Sequence, residues 1–68
     1  MAVTYTSALQ PQNHRELVTF TDIYGATSKL YVYASQAADR ASLIQARVTI
    51  MQTNETNMTA LVAAQPTS

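Results

Sequence analysis

Two segments rich in β-branched and aromatic residues flank the only glycine of the chain, Gly25, and this arrangement constrains the fold more than any other feature. The segments are residues 17–24 and 29–35. Valine, isoleucine, threonine, tyrosine and phenylalanine fit the pleated surface of a strand. Glycine accepts the positive φ angle that a short hairpin loop needs. The sequence therefore predicts an antiparallel β-hairpin around Gly25.

The two faces of this hairpin differ in character. A loop at residues 26–28 places Gly25 opposite Lys29 and Tyr24 opposite Leu30. One face is then mostly apolar and is the predicted core, because a slip of one residue would scatter its apolar side chains over both faces. Its members are Val18, Phe20, Tyr24, Leu30, Val32 and Ala34. The other face combines threonine with tyrosine, side chains that suit an interface as well as water.

The N-terminal segment, residues 1–12, allows two interpretations. Val3, Tyr5 and Ser7 alternate with threonines, which is compatible with a short strand. An extended arm that pairs with a neighbouring chain is equally compatible. Pro11 ends the segment, because proline lacks a backbone donor and forces the preceding residue into an extended conformation. We predict an extended arm at about 1–12 and a frayed tail at 65–68.

The segment that follows the hairpin has two competing periodicities. Ser35 is a candidate cap for a helical turn. At helical spacing, a stripe of apolar residues runs from Ala37 to Met51. At a period of two, apolar and polar residues alternate without exception from Ile44 to Ile50. We predict a strand at about 43–52, and a helix that continues to Met51 is the alternative.

The remaining residues complete the predicted fold. The polar segment 53–57 has the composition of a turn, and residues 58–64 are predicted to form a strand that returns on the previous one. The sequence therefore predicts one small domain over residues 1–68, an all-β antiparallel unit of two hairpins joined by a helical turn. The alternative is an α+β fold with one helix, at about 36–52, lying on a hairpin.

Composition argues against several classes of function. The chain of 68 residues has no cysteine and one histidine, so disulfides are excluded and a structural zinc site is not expected. Four basic and four acidic residues are scattered along the sequence, and nucleic-acid binding requires clustered cations. No apolar run approaches the length of about 18 residues that spans a membrane, and no secretory signal pattern is present.

No set of side chains forms a recognisable catalytic or metal-binding pattern. His14 and Glu16 would share one face of a strand, but no nucleophile is placed beside them. The carboxylates have no spacing that brings two of them together, so all are predicted to be solvated. We therefore predict that the protein is not an enzyme and has no catalytic, metal or cofactor-binding residues.

A core this small usually needs support from disulfides, metals or oligomerisation. With the first excluded and the second not expected, we predict association with copies of itself or with other structural chains, as a homo-oligomer or a lattice. A net charge of zero favours such association. The residues predicted to form the interface are Thr19, Thr21, Tyr31, Tyr33 and Tyr5.

In its short length, low charge, lack of cysteine and abundance of threonine and alanine, the chain resembles small bacteriophage virion proteins, such as capsid or decoration subunits. The resemblance is one of composition and includes no motif. It implies a structural assembly protein located in the virion; otherwise we expect a cytoplasmic location. The alternative function is a small binding module that adds a β-strand to the sheet of a partner.

Overall fold

A computed structural model describes residues 3–66 and contains a three-stranded antiparallel sheet and one long helix. The strands are β1 (Thr4–Gln10), β2 (Arg15–Thr21) and β3 (Thr27–Tyr33), in the spatial order β1-β2-β3. The helix, α1, spans Arg40–Ala63. Two short 3-10 helices join these elements, at Pro11–Asn13 between β1 and β2 and at Ala34–Asp39 between β3 and α1.

The fold is therefore α+β, and the prediction of an all-β unit with two hairpins is wrong. The predicted strand at 43–52, the turn at 53–57 and the strand at 58–64 all lie within α1. The alternation from Ile44 to Ile50 led to the wrong prediction of a strand. Two of its apolar residues, Ile44 and Val48, also belong to the apolar stripe of a helix. Ile44 and Met51 are buried on one side of the helix, while Ile50 remains 56% exposed. The sheet covers only one side of this segment, so the helical period determines which residues are buried.

The hairpin around Gly25 forms as predicted, but its register differs. Gly25 has φ 80°. The loop comprises residues 22–26 rather than 26–28, since Thr21 pairs with Thr27 and Val18 with Leu30. Asp22 determines this loop, because its Oδ1 accepts the backbone N–H groups of Tyr24 at 2.9 Å and of Ala26 at 3.0 Å.

The predicted division between the faces survives this change of register, because the predicted and observed pairings differ by an even number of residues. Val18, Phe20 and Val32 are buried on the predicted core face. Tyr24 and Ala34, which were assigned to the same face, lie outside the strands.

The N-terminal segment forms a strand within the same chain. Thr4 of β1 pairs with Thr21 of β2, and Gln10 pairs with Arg15. His14 connects Pro11–Asn13 to β2 with a left-handed φ of 52°. Residues 1 and 2 of the predicted arm, and 67 and 68 of the predicted tail, lie outside the described residues.

The predicted helical turn after the hairpin is the 3-10 helix Ala34–Asp39, but Ser35 lies inside it and does not cap it. The residue at the N-cap position is Tyr33. Its backbone N–H donates to Oε1 of Gln36 at 3.1 Å. A glutamine three residues after the cap position therefore accepts the N–H of the cap residue, as in a capping box.

The core lies between α1 and one face of the sheet, and its buried hydrophobic residues are Val18, Phe20, Val32, Ile44 and Met51. The helix runs parallel to β2, since Arg40 contacts Glu16 at one end and Glu55 contacts Ile23 at the other. Residues 40–55 of a helix extend about 24 Å, and a strand of seven residues extends about 23 Å. The sheet is therefore long enough to cover residues 40–55, and the rest of α1 extends beyond it.

Candidate assembly surfaces

The face of the sheet that points away from α1, called here the open face, is rich in threonine and tyrosine. Paired residues of antiparallel strands share a face, so the register places Thr4 beside Thr21 and Thr6 beside Thr19. Thr27, Lys29, Tyr31 and Tyr33 of β3 extend the same face. The structure thus brings together four of the five residues predicted to form an interface: Thr19, Thr21, Tyr31 and Tyr33.

Tyr5, the fifth predicted interface residue, lies on the opposite face. It pairs with Phe20, and the two ring centroids are 5.5 Å apart. Its side chain is half exposed because α1 leaves β1 largely uncovered. Tyr5 therefore covers the edge of the core and does not belong to the open face.

Arg15 lies on the open face and fixes the position of Tyr31. Its guanidinium carbon lies 4.2 Å from the centroid of the Tyr31 ring, which is the geometry of a cation–π contact. Its Nε donates to Oε1 of Gln10 at 2.6 Å. The ring of Tyr31 is thus held in place before any partner binds, which lowers the entropy lost on association.

An apolar groove opens at the end of the sheet where α1 begins. Its volume is about 430 Å³. The ends of β1 and β3, the turn between β1 and β2, the start of β2, the 3-10 helix Ala34–Asp39 and the first residue of α1 form its walls. Its lining includes Leu9, Val32, Ala34, Ala37, Glu16 and Arg40. Leu9 is 77% exposed, so a large aliphatic side chain borders the groove without a partner in the described residues.

A bidentate ion pair between Glu16 and Arg40 lies in the wall of this groove. Arg40 Nε donates to Oε1 of Glu16 at 2.7 Å, and Nη2 donates to Oε2 at 2.9 Å. The Arg40 guanidinium lowers the pKa of Glu16, although desolvation of the carboxylate acts in the opposite direction. Glu16 is buried, so the prediction that every carboxylate is solvated is wrong here.

Glu55 is the second carboxylate that contradicts the prediction of solvated carboxylates, because its side chain is fully buried. Oε2 accepts the backbone N–H of Ile23 at 2.9 Å, so Glu55 attaches the hairpin loop to α1. Oε1 has no hydrogen-bond partner among the residues that the structure describes. Sequence reasoning missed Glu55 because it placed residues 53–57 in a turn. The signal was its position four residues after Met51 on the buried side of a helix.

The last part of α1, residues 56–63, is called here the overhang, because every one of its residues is exposed. Tyr24 of the hairpin loop hydrogen-bonds to Thr59, with 2.7 Å between the two hydroxyl oxygens. Met58 and Val62 continue the buried stripe of Ile44 and Met51 past the end of the sheet. The overhang therefore presents a core-like stripe that the chain itself leaves uncovered.

His14, the only imidazole, is exposed at the turn between β1 and β2. Within residues 3–66, no three acidic or imidazole side chains are close enough together to hold a metal ion. Nor does this part of the chain contain a helix that is both long and apolar enough to cross a bilayer. Comparisons with protein-family models, with curated proteins and with solved structures find no match to this chain.

Proposed function

We propose that the protein is a structural assembly subunit that completes its core against neighbouring chains. One observation carries this proposal: five hydrophobic residues form the buried core, whereas ten large hydrophobic side chains among residues 3–66 are exposed. Single exposed apolar residues are ordinary. Six of the ten are grouped, with Tyr31 and Tyr33 on the open face, Leu9 along the groove, and Met58, Leu61 and Val62 on the overhang. Grouped apolar surface marks sites of association.

The open face supports the proposal because it offers a surface for packing one sheet against another. Sheets in sandwiches pack through a layer of interdigitating side chains, and the tyrosines of β3 supply large contact area at low entropic cost. Charge on this face is limited to Arg15 and Lys29, and Arg15 is already engaged with Gln10 and Tyr31. Little desolvation of charge would therefore oppose association.

The chain resembles small bacteriophage virion proteins in composition. We therefore propose, more specifically, that it is a capsid or decoration subunit. A subunit of that kind occurs in many copies in one particle. Isolation of the native particle that contains this chain, with its mass and the number of copies per particle, tests this form. A particle with few copies, or a complex with one unrelated enzyme, would contradict it.

Substitution of the two exposed tyrosines tests the role of the open face. Tyr31→Asp combined with Tyr33→Asp should reduce the mass of the assembly measured by light scattering, because two carboxylates would be desolvated between sheets. Circular dichroism should show an unchanged fold. The matched control adds two negative charges to an exposed side of α1 with Gln45→Glu and Thr49→Glu, and should assemble normally. A native protein that stays monomeric at every concentration would refute the proposal.

A binding module that acts by β-strand addition is the second candidate, and the exposure of β1 favours it. β1 is an edge strand, and all of its residues except Gln10 are exposed. An unpaired edge can accept a strand from a partner. Such a module would remain monomeric until a different protein is added. Hydrogen exchange of the β1 amides, slowed only in the presence of that protein, would support this candidate over assembly.

A further inference from the structure

We propose that the overhang of one copy inserts into the groove of the next, so that copies associate head to tail. This inference rests on the proposed assembly function and specifies which surfaces meet. The contact is heterologous, because the overhang and the groove are different surfaces of the chain. Unless such a contact closes into a ring, it continues indefinitely and forms a filament or a row within a lattice.

The positions of the two surfaces fit this geometry. The groove lies where α1 begins, beside Glu16 and Arg40. The overhang lies at the other end of α1, beyond the loop that contains Ile23 and Tyr24. The helix of 24 residues separates them by about 35 Å. Each copy of this elongated chain, 54 Å in its longest dimension, thus has one surface at each end.

Both surfaces belong to the layer that contains the core. Met58 and Val62 continue the side of α1 that packs on the sheet, and Val32 and Ala37 line a groove on the same face of the sheet. A helix end placed in the groove would extend the packing of helix on sheet from one copy to the next. The overhang would then bury the stripe that its own sheet is too short to cover.

The charges of the two surfaces are complementary. Residues 56–66 contain no charged side chain, so the overhang brings no ion of its own into the groove. The last turn of α1 also has no basic residue to compensate the partial negative charge at its C-terminal end. Arg40 lies in the wall of the groove with its side chain 43% exposed, and its bonds to Glu16 use Nε and Nη2. Its guanidinium is therefore placed to face the carbonyl end of an incoming helix.

The open face is small. Three strands of seven residues cover about 340 Å² in plan, whereas a stable interface buries about 800 Å² of accessible surface on each partner. The end-to-end contact adds apolar surface that is otherwise exposed to water.

Two complementary variants test the inference. The overhang variant carries Met58→Asp and Val62→Asp, the two residues that continue the buried stripe, and its control is Ile50→Asp, at an exposed residue in the covered part of α1. The groove variant is Ala37→Trp, which fills the groove, and its control is Ala38→Trp at the neighbouring exposed residue. Each variant alone should lose the growth of particle mass with concentration, with association weakened at least about tenfold. The particle mass of each control should increase with concentration as it does for the native chain.

Mixing the two variants gives the decisive result. The overhang variant keeps an intact groove and the groove variant keeps an intact overhang. Isothermal titration of one into the other should therefore show binding with a stoichiometry of one, and no further growth. A symmetric contact between two overhangs would give no binding in this mixture and would overturn the inference.

The inference and the proposed function fail in different ways. If the native chain assembles and the overhang variant still grows like the native chain, head-to-tail contact is refuted and assembly stands. If the native chain is monomeric at every concentration, both are refuted, and the apolar ends would be sites for another protein or a small apolar ligand. Circular dichroism and thermal melting of each variant, unchanged from the native chain, exclude loss of fold as the cause.

Discussion

The two parts of α1, residues 40–55 and the overhang, differ both in composition and in burial. The overhang has the larger share of apolar residues, yet it is the part that is not buried. Seven of the sixteen residues in 40–55 are apolar, against five of the eight in the overhang. Yet Ile44, Met51 and Glu55 are buried in the first part, and every residue of the overhang is exposed. The length of the sheet therefore decides which part of α1 enters the core. An apolar helix end that extends past the sheet remains available for another chain.

We expect the largest difference in stability between substitutions on the buried side and on the exposed side of residues 40–55. Met51→Asp should unfold the protein, because a buried, unpaired carboxylate costs more than the roughly 3–5 kcal/mol that a core of this size supplies. Ile50→Asp should change the free energy of unfolding by about 0.5 kcal/mol or less, since that side chain is exposed. Urea titration followed by circular dichroism measures both. Equal effects of the two substitutions would contradict the helical assignment of this segment.

The next effect concerns the residue at the boundary between the two parts. Glu55→Ala should destabilise the fold by about 1–3 kcal/mol, because the N–H of Ile23 loses the carboxylate that accepts it. Glu55→Gln is the matched control, since its amide oxygen can still accept that N–H, and it should cost less than Glu55→Ala. Thermal unfolding compares them. A loss in Glu55→Gln as large as in Glu55→Ala would show that the hydrogen bond to Ile23 is not what Glu55 contributes.

A smaller effect, dependent on pH, concerns the first residue of α1. Because Arg40 lowers the pKa of Glu16, this pair stabilises the fold above about pH 4.3, the pKa of a solvated glutamate. The contribution is lost as the pH falls through the lowered pKa of Glu16 in the folded state. Arg40→Gln should therefore reduce stability at pH 7, and the difference from the native chain should shrink in acid. A difference that stays constant from pH 7 to pH 2 would contradict this.

The smallest expected effect on stability belongs to the overhang. Met58→Asp and Val62→Asp should each change the free energy of unfolding of the isolated chain by about 0.5 kcal/mol or less, because both side chains are already exposed. Measurements at a concentration low enough to suppress association would show this. A large loss of stability there would mean that the overhang packs within its own chain and that the contrast between the two parts of α1 is false.

Several features of the fold were predictable from sequence because they depend on local chemistry. Gly25 between two β-branched segments specified the hairpin, and the alternation of Val18 and Phe20 with threonines specified which face is buried. The exact register was not predictable, since Asp22 determines it by accepting two backbone N–H groups of the loop. The even difference between the two registers preserved the faces.

The candidate surfaces were predictable only in part. Thr19, Thr21, Tyr31 and Tyr33 share the open face because strand periodicity and pairing place them there. Tyr5 does not, because its face depends on how β1 pairs with β2, and no local signal specifies that pairing. The groove and the overhang could not be predicted, since both exist only because α1 crosses the sheet and is longer than it.

The hairpin, its apolar and threonine-rich faces, and a core too small to bury most of the large apolar side chains are properties of the sequence alone. Those properties follow from the φ angle of glycine, the period of two of a strand and the count of apolar side chains. Three other features depend on the tertiary structure: residues 44–50 are helical, Glu16 and Glu55 are buried, and the end of α1 is uncovered. Each of these depends on contacts between segments distant in sequence. A segment compatible with two periods takes the one that buries more apolar surface against the sheet beside it.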